Sequence, residues 1–161
     1  MIIKGISEIL GKIEFINVAT SDLKGRPNVA PKFVLKYDDK FIYLVDHVIG
    51  RIYNDLKINP RVSLAVIDLD SLTGYQLNGT VEIIESGKDY NALLEEFMSR
   101  QISLSVERVV EDVSRGRKRK NFEVCLPDKV AVFKVKVEEV AQISCGGQVR
   151  REKIPANKYH E

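Results

Sequence analysis

In the stretch DHVIGRIYNDLKINPRVSLAV, Asp46 to Val66, the residue best placed to do chemistry is Arg51. Ile49, Ile52, Tyr53 and Leu56 fall at i, i+3, i+4 and i+7, which predicts a helix with one apolar face, ended by Asn59-Pro60. Arg51 then stands in the first turn, at the positive end of the helix dipole, where a cation is disfavoured by roughly 0.3–1 kcal/mol. An anion bound at the same place reverses that sign. The free first-turn amides and the guanidinium can share one phosphate, whose oxygens match the guanidinium fork. Arg51 lies on the face opposite Ile52 and Leu56, together with Asn54 and Asp55, so it points away from the core. Spacing alone weighs this phosphate site equally against an exposed arginine that tolerates a small penalty.

Other chemistry is scarce. The two cysteines, Cys125 and Cys145, have no CxxC spacing and the only histidines are His47 and His160, too few ligands for a structural zinc. No metal site is expected, and the thiols read as reduced and non-catalytic. No acid–base pair names a catalytic residue. Net charge is +2, yet Arg115, Arg117, Lys118, Arg119 and Lys120 crowd five cations into six positions. Such a run is most often a solvated loop. It could also capture a phosphorylated substrate such as NADPH, or bind nucleic acid with Phe122 stacking a base.

These residues must be carried by a chain of 161 residues, 44% hydrophobic and 30% charged, which fits a single domain over 1–161 able to bury its own core. The apolar runs are too short to span a bilayer, and MIIKGISEIL is too short and too charged for a signal peptide, so a cytoplasmic location is expected. The sequence reads as a short helix in IKGISEIL, a strand in KIEFINVAT, and strands in NVAPKFVLKY and FIYLVD joined at hairpin spacing. The Arg51 helix follows, then paired long strands in RVSLAVIDL and GYQLNGTVEIIE. SGKDYNALLEEFMSR predicts a helix with Ser86 as N-cap and Tyr90, Leu93, Leu94 and Phe97 as its stripe. Val106, Val109, Val110 and Val113 suggest a further helix, and KVAVFKVKVEEVAQISC a final strand. Six or so closely spaced strands with helices between them imply a mainly β, α+β fold, a small barrel with peripheral helices. The tail, about residues 146–161, reads as a mobile arm or one that covers a partner subunit.

The ordered segments NVAT, GRPNVAPKF, DDKFIYLVDHVIGRIYNDL, NPRVSLAV and GYQLNGTVEII resemble the pyridoxamine 5′-phosphate oxidase-like family of FMN-binding split β-barrels, over Ile13 to Arg100. The resemblance implies a six-stranded antiparallel split barrel that forms a homodimer with FMN at the subunit interface. It places Ala30, Pro31, Lys32 and Phe33 beside the isoalloxazine ring and Val45, Asp46, His47 and Val48 at its border. Arg51 would meet the phosphate, with Asn54 as a second contact, and Gly74, Tyr75 and Gln76 would approach the flavin from across the dimer.

The residue types suit those places. Lys32 would put positive charge near the N1–C2=O edge, or else face solvent from a barrel strand. Pro31 cannot donate to a ladder, which argues for an edge or bulge. His47 reads as structural more readily than as a flavin contact, and Tyr75 as interface packing more readily than as a flavin stack.

The match also departs from the vitamin B6 oxidases, which the resemblance expects to carry lysine after the arginine and to end in a tryptophan-containing segment. Ile52 stands in the lysine's place, leaving Lys57 or Lys32 to substitute, and the chain has no tryptophan. The expectation is therefore a flavin-dependent oxidoreductase of unassigned substrate, reduced by NAD(P)H or an organic donor, and not a vitamin B6 oxidase. The alternatives are a non-catalytic flavin, deazaflavin or haem module, or, less favoured, a nucleic-acid-binding protein. No membrane partner is expected.

Overall fold

A computed structural model describes residues 2–47, 49–117 and 129–154. The described elements are α1 (Ile2–Leu10), β1 (Phe15–Ser21), β2 (Pro27–Tyr37), β3 (Phe41–Asp46), α2 (Arg51–Ile58), β4 (Arg61–Asp68), β5 (Thr73–Ile84), α3 (Lys88–Ser114), β6 (Ala131–Ile143) and β7 (Val149–Lys153).

Three of the tight connections are set by an aspartate that turns back on the chain. Asp22 Oδ1 accepts from the Lys24 and Arg26 amides, Asp38 Oδ1 from those of Lys40 and Phe41, and Asp68 Oδ1 from that of Asp70. These Asx turns offer the backbone local partners where the ladders stop. The strands between them are all antiparallel, in the order β3-β2-β1-β4-β5-β6-β7, and β3 also pairs with β6. That last pairing closes six strands into a barrel, which removes the edges of an open sheet.

Alternation decides which side chains fill the barrel. Ile16 and Val18 of β1, Leu44 of β3, Leu64 of β4, Leu77 of β5 and Phe133 and Val135 of β6 point inward and are almost fully buried. α1 closes one end with Ile6, Ile9 and Leu10, where the Tyr37 hydroxyl donates to the Ser7 carbonyl at 3.0 Å. α2 packs on β1, β2 and β5 toward the other end, seating Ile52 and Leu56 in the same core. A second apolar cluster lies outside the barrel wall. There Phe33, Leu35, Val45 and Val132 are covered by Leu93 and Phe97 of α3, each such side chain contributing about 1.5–3 kcal/mol when withdrawn from water.

Three expectations change. The two helices expected after Glu85 are one continuous helix, because nothing between Arg100 and Val106 breaks it. Its N-cap is Gly87, at φ 93°, in place of Ser86. Val106, Val109, Val110 and Val113 do form a helical stripe but remain exposed. Part of the supposed arm is strand β7, which pairs with the second half of β6 through Ile143↔Val149 to Glu139↔Lys153. β6 is long enough for this because β3 occupies only its first half. Residues 155–161 lie outside the described chain.

Candidate functional site

β2 and β3 separate at a defined point. Their ladder begins at Phe33↔Val45, and from Pro27 to Lys32 β2 is paired with β1 alone. Pro31, facing Asn17 across β1, sits in this half-free segment, as a residue without an amide hydrogen should. Pro31 is exposed and faces outward, whereas Ala30 and Lys32 face inward and Phe33 lies beneath α3.

Lys32 is buried inside the barrel. Its register partner is Ile16, a core residue, and its Nζ lies 2.5 Å from Asp46 Oδ1, with the two side chains 8% and 0% exposed. The solvent-facing alternative for Lys32 is thereby excluded. Asp46 is the last residue of β3, paired with Ala131 of β6, so the pair stands at the root of the connection to α2. His47, next in that connection, is exposed. Val48 lies outside the described residues.

Arg51 opens α2. Its side chain is exposed and makes no hydrogen bond or ion pair among the described residues. The N-cap is Gly50, which supplies no side-chain cap, and the first turn holds no acidic residue. The first-turn amides therefore have no side-chain cap and no carboxylate in their own turn. Asn54, one turn on, is exposed as well.

Asp55 departs from its expected place on that outer face. It is buried, and its Oδ2 accepts a hydrogen bond from Thr20 Oγ1 at 2.8 Å. Asn59 Nδ2 donates to the Ser21 carbonyl at 3.0 Å, so the C-terminal half of α2 is fastened to the end of β1. On the other flank Tyr53 donates to Glu85 Oε2, Lys57 Nζ lies 3.3 Å from Glu85 Oε1, and Lys57 sits over the Tyr53 ring. Tyr53 first, then Lys57, hold the Glu85 carboxyl below the usual carboxylate range, and Tyr53 first, then Glu85, raise Lys57. Neither Lys57 nor Lys32 is thus a spare cation for the place that Ile52 fills.

On β5 the three predicted residues divide. Gly74 and Gln76 face outward, with Gln76 Nε2 donating to Ser63 Oγ at 3.2 Å. Tyr75 points into its own barrel core, and Gln142 Nε2 donates to its hydroxyl at 3.2 Å. Across β1 and β4, β5 lies three strands from β2, roughly 14 Å at ordinary strand spacing. One chain therefore does not bring Gly74 and Gln76 to Pro31.

A groove of about 680 Å³ on the outer wall, lined by Ala19, Ser63, Asn78 and Glu139 among others, contains none of the flavin-site residues expected from the sequence. Two of its lining carboxylates are already engaged, Glu138 by Arg61 at 3.4 Å and Glu139 by Arg151 at 3.2 Å, and Lys153 is its remaining cation. The α2 start is the better candidate because it joins a cation without a partner among the described residues to helix amides without a side-chain cap. Of the basic cluster, Arg115 pairs with Glu111 at 2.7 Å and Arg117 is exposed, while Lys118, Arg119, Lys120 and Phe122 lie outside the described residues.

The sequence reading missed two buried pairs, Lys32 with Asp46 and Thr20 with Asp55. Strand alternation carried the signal. Lys32 falls between inward-facing Ala30 and Val34, and Thr20 follows Ile16 and Val18 on the same face.

The family model for pyridoxamine 5′-phosphate oxidase matches residues 2–144. No curated protein sequence matches the chain. Among solved structures, a Clostridium acetobutylicum protein related to general stress protein 26 of Bacillus subtilis, of the pyridoxinephosphate oxidase family, aligns at 18% identity over 94% of both chains, with a TM-score of 0.63. A pyridoxamine 5′-phosphate oxidase-related, FMN-binding protein of Nostoc punctiforme aligns at 13% identity over 94% of this chain and 96% of its own, TM-score 0.57. HutZ of Vibrio cholerae, described as a haem storage protein, aligns at 17% identity over 84% and 89%, TM-score 0.58. At these identities the likeness is one of fold.

Proposed function

We propose that this chain, which belongs to the pyridoxamine 5′-phosphate oxidase family, binds FMN at the interface of a homodimer and acts as a flavin-dependent oxidoreductase. The observation that carries the reading is Arg51, an exposed guanidinium with no partner among the described residues, at a helix start with no side-chain cap. A phosphate dianion fits both features at once, accepting from the guanidinium fork and from the first-turn amides. Asn54 stands beside it as a second donor.

The half-free segment of β2 supplies the other requirement, a strand flank that a planar ring can lie along. There Pro31 faces outward, and the backbone from Pro27 to Lys32 is not engaged by β3. Gly74 and Gln76 reach such a ring only from a second copy, which is why the site is assigned to a dimer.

The outer wall supports that assembly. Ile67, Ile143 and Val149 stay 55%, 43% and 53% exposed on neighbouring strands around Gly74, an apolar row that suits contact with a second copy.

When bound, FMN would supply redox chemistry between a donor such as NADH or NADPH and an acceptor. The chain's part is to bind and orient: Arg51 and Asn54 hold the phosphate, and the β2 flank aligns the ring. The test is titration of the protein with FMN followed by desalting. Flavin absorbance retained by the wild type and lost in Arg51→Ala supports the reading, while an unchanged dissociation constant in Arg51→Ala sinks the phosphate assignment. Haem or a deazaflavin retained where FMN is not would replace the cofactor.

A further inference from the structure

The Lys32–Asp46 pair lies one step beyond the last rung of the β2–β3 ladder, which begins at Phe33↔Val45. Past that rung the two strands diverge, and this ion pair joins them across the opening. Its backbone neighbours anchor it further, since Lys32 is paired with Ile16 of β1 and Asp46 with Ala131 of β6. Four strands are therefore tied together at the root of the four-residue connection that leads to Arg51.

A buried ion pair is a weak means of stabilising a barrel. Desolvating both charges costs about what their attraction returns, and an apolar pair of similar volume does as well or better. Removing one partner is another matter, because it strands a charge in the interior. The pair is also neutral as a unit. An uncompensated Asp46 carboxylate beside the Arg51 connection would oppose an anion there, and Lys32 cancels it.

We propose that Lys32 and Asp46 form a latch that fixes the end of β3, from which the chain passes on to α2, and so presents the Arg51 site, both acting as positioning residues that do not themselves touch the bound phosphate. This departs from placing Lys32 against the ring edge. The binding part of the proposal rests on the FMN reading of Arg51, whereas the latch itself does not.

The experiment compares Lys32→Met, Asp46→Asn and the double variant Lys32→Met/Asp46→Asn, which removes both charges and keeps a polar side chain at 46, with the wild type. It measures FMN dissociation constants and, without ligand, amide hydrogen exchange over residues 47–53. Each single variant is expected to weaken FMN binding by about ten-fold or more and to speed exchange in that segment, and the double variant to return both to within about three-fold of wild type. A single variant that fails to fold while the double variant folds shows the same coupling through stability. Lys32→Met that weakens FMN with exchange unchanged would overturn the latch, placing the lysine on the ligand. A double variant no better than Lys32→Met in either measurement would overturn it too. If the wild type binds no FMN, the cofactor reading fails and the exchange data alone decide the latch.

Discussion

Arg51 is the residue on which the functional reading turns, and its isolation makes it testable. Arg51→Ala removes a charge-assisted contact from the phosphate, so FMN binding is expected to weaken by about 1.5–3 kcal/mol. Thermal stability should hardly move, because the side chain is exposed and unpartnered among the described residues. Glu85 gives a prediction of another kind. Its carboxyl is held below its ordinary value of 4.5 by the Tyr53 hydrogen bond first and Lys57 second, so these contacts contribute stability above that value and lose it as pH falls through the lowered one. The stability difference between wild type and Glu85→Gln in urea unfolding should be present at pH 7 and shrink as the pH is taken down through the acid range. A difference that grows on acidification would contradict the assignment. Arg51 was legible in the sequence because helical spacing alone placed it in a first turn. Asp55 was not, since a helix wheel cannot show that Thr20 waits on the far side of the barrel wall.

At the scale of elements, α2 is the part that must be held still, and the structure fastens it at both flanks. Asp55→Ala leaves the buried Thr20 hydroxyl without its acceptor and is expected to cost about 1–3 kcal/mol, read as a shift in urea midpoint. If the helix is carried to the site by these bonds, the same variant weakens FMN binding although Asp55 faces away from Arg51. β5 and β6 have their own fixed point at the irregularity between Asn78 and Gly79. A Cβ on Gly79 would lie 2.0 Å from the Lys136 carbonyl oxygen, so Gly79→Ala is expected to destabilise by about 3 kcal/mol or more. Strands and short helices were readable here from alternation and turn residues. The continuity of α3 was hidden by its valines, poor helix formers that read as a separate, weaker segment. β7 was hidden because Gly146-Gly147 and a polar composition look like an arm until the free half of β6 offers a partner.

For the molecule as a whole, barrel closure through β3 and β6 leaves β7 and the outer wall as the surfaces still to be explained. The apolar row around Gly74 is expected to be covered by a second copy, so sedimentation should give a dimer. Gly74→Glu, on that outer face, should shift it toward monomer and reduce FMN retention together. A monomeric wild type that still binds FMN would contradict an interfacial site.

The central claim is that a phosphate-bearing flavin sits at the start of α2. Its most direct measurement is the visible absorption spectrum of the purified protein, before and after excess FMN and desalting, with Arg51→Ala alongside. The account predicts oxidised-flavin bands retained at one FMN per chain in the wild type and largely lost in the variant. A folded wild type that stays colourless, or a variant that holds FMN as tightly, would contradict it.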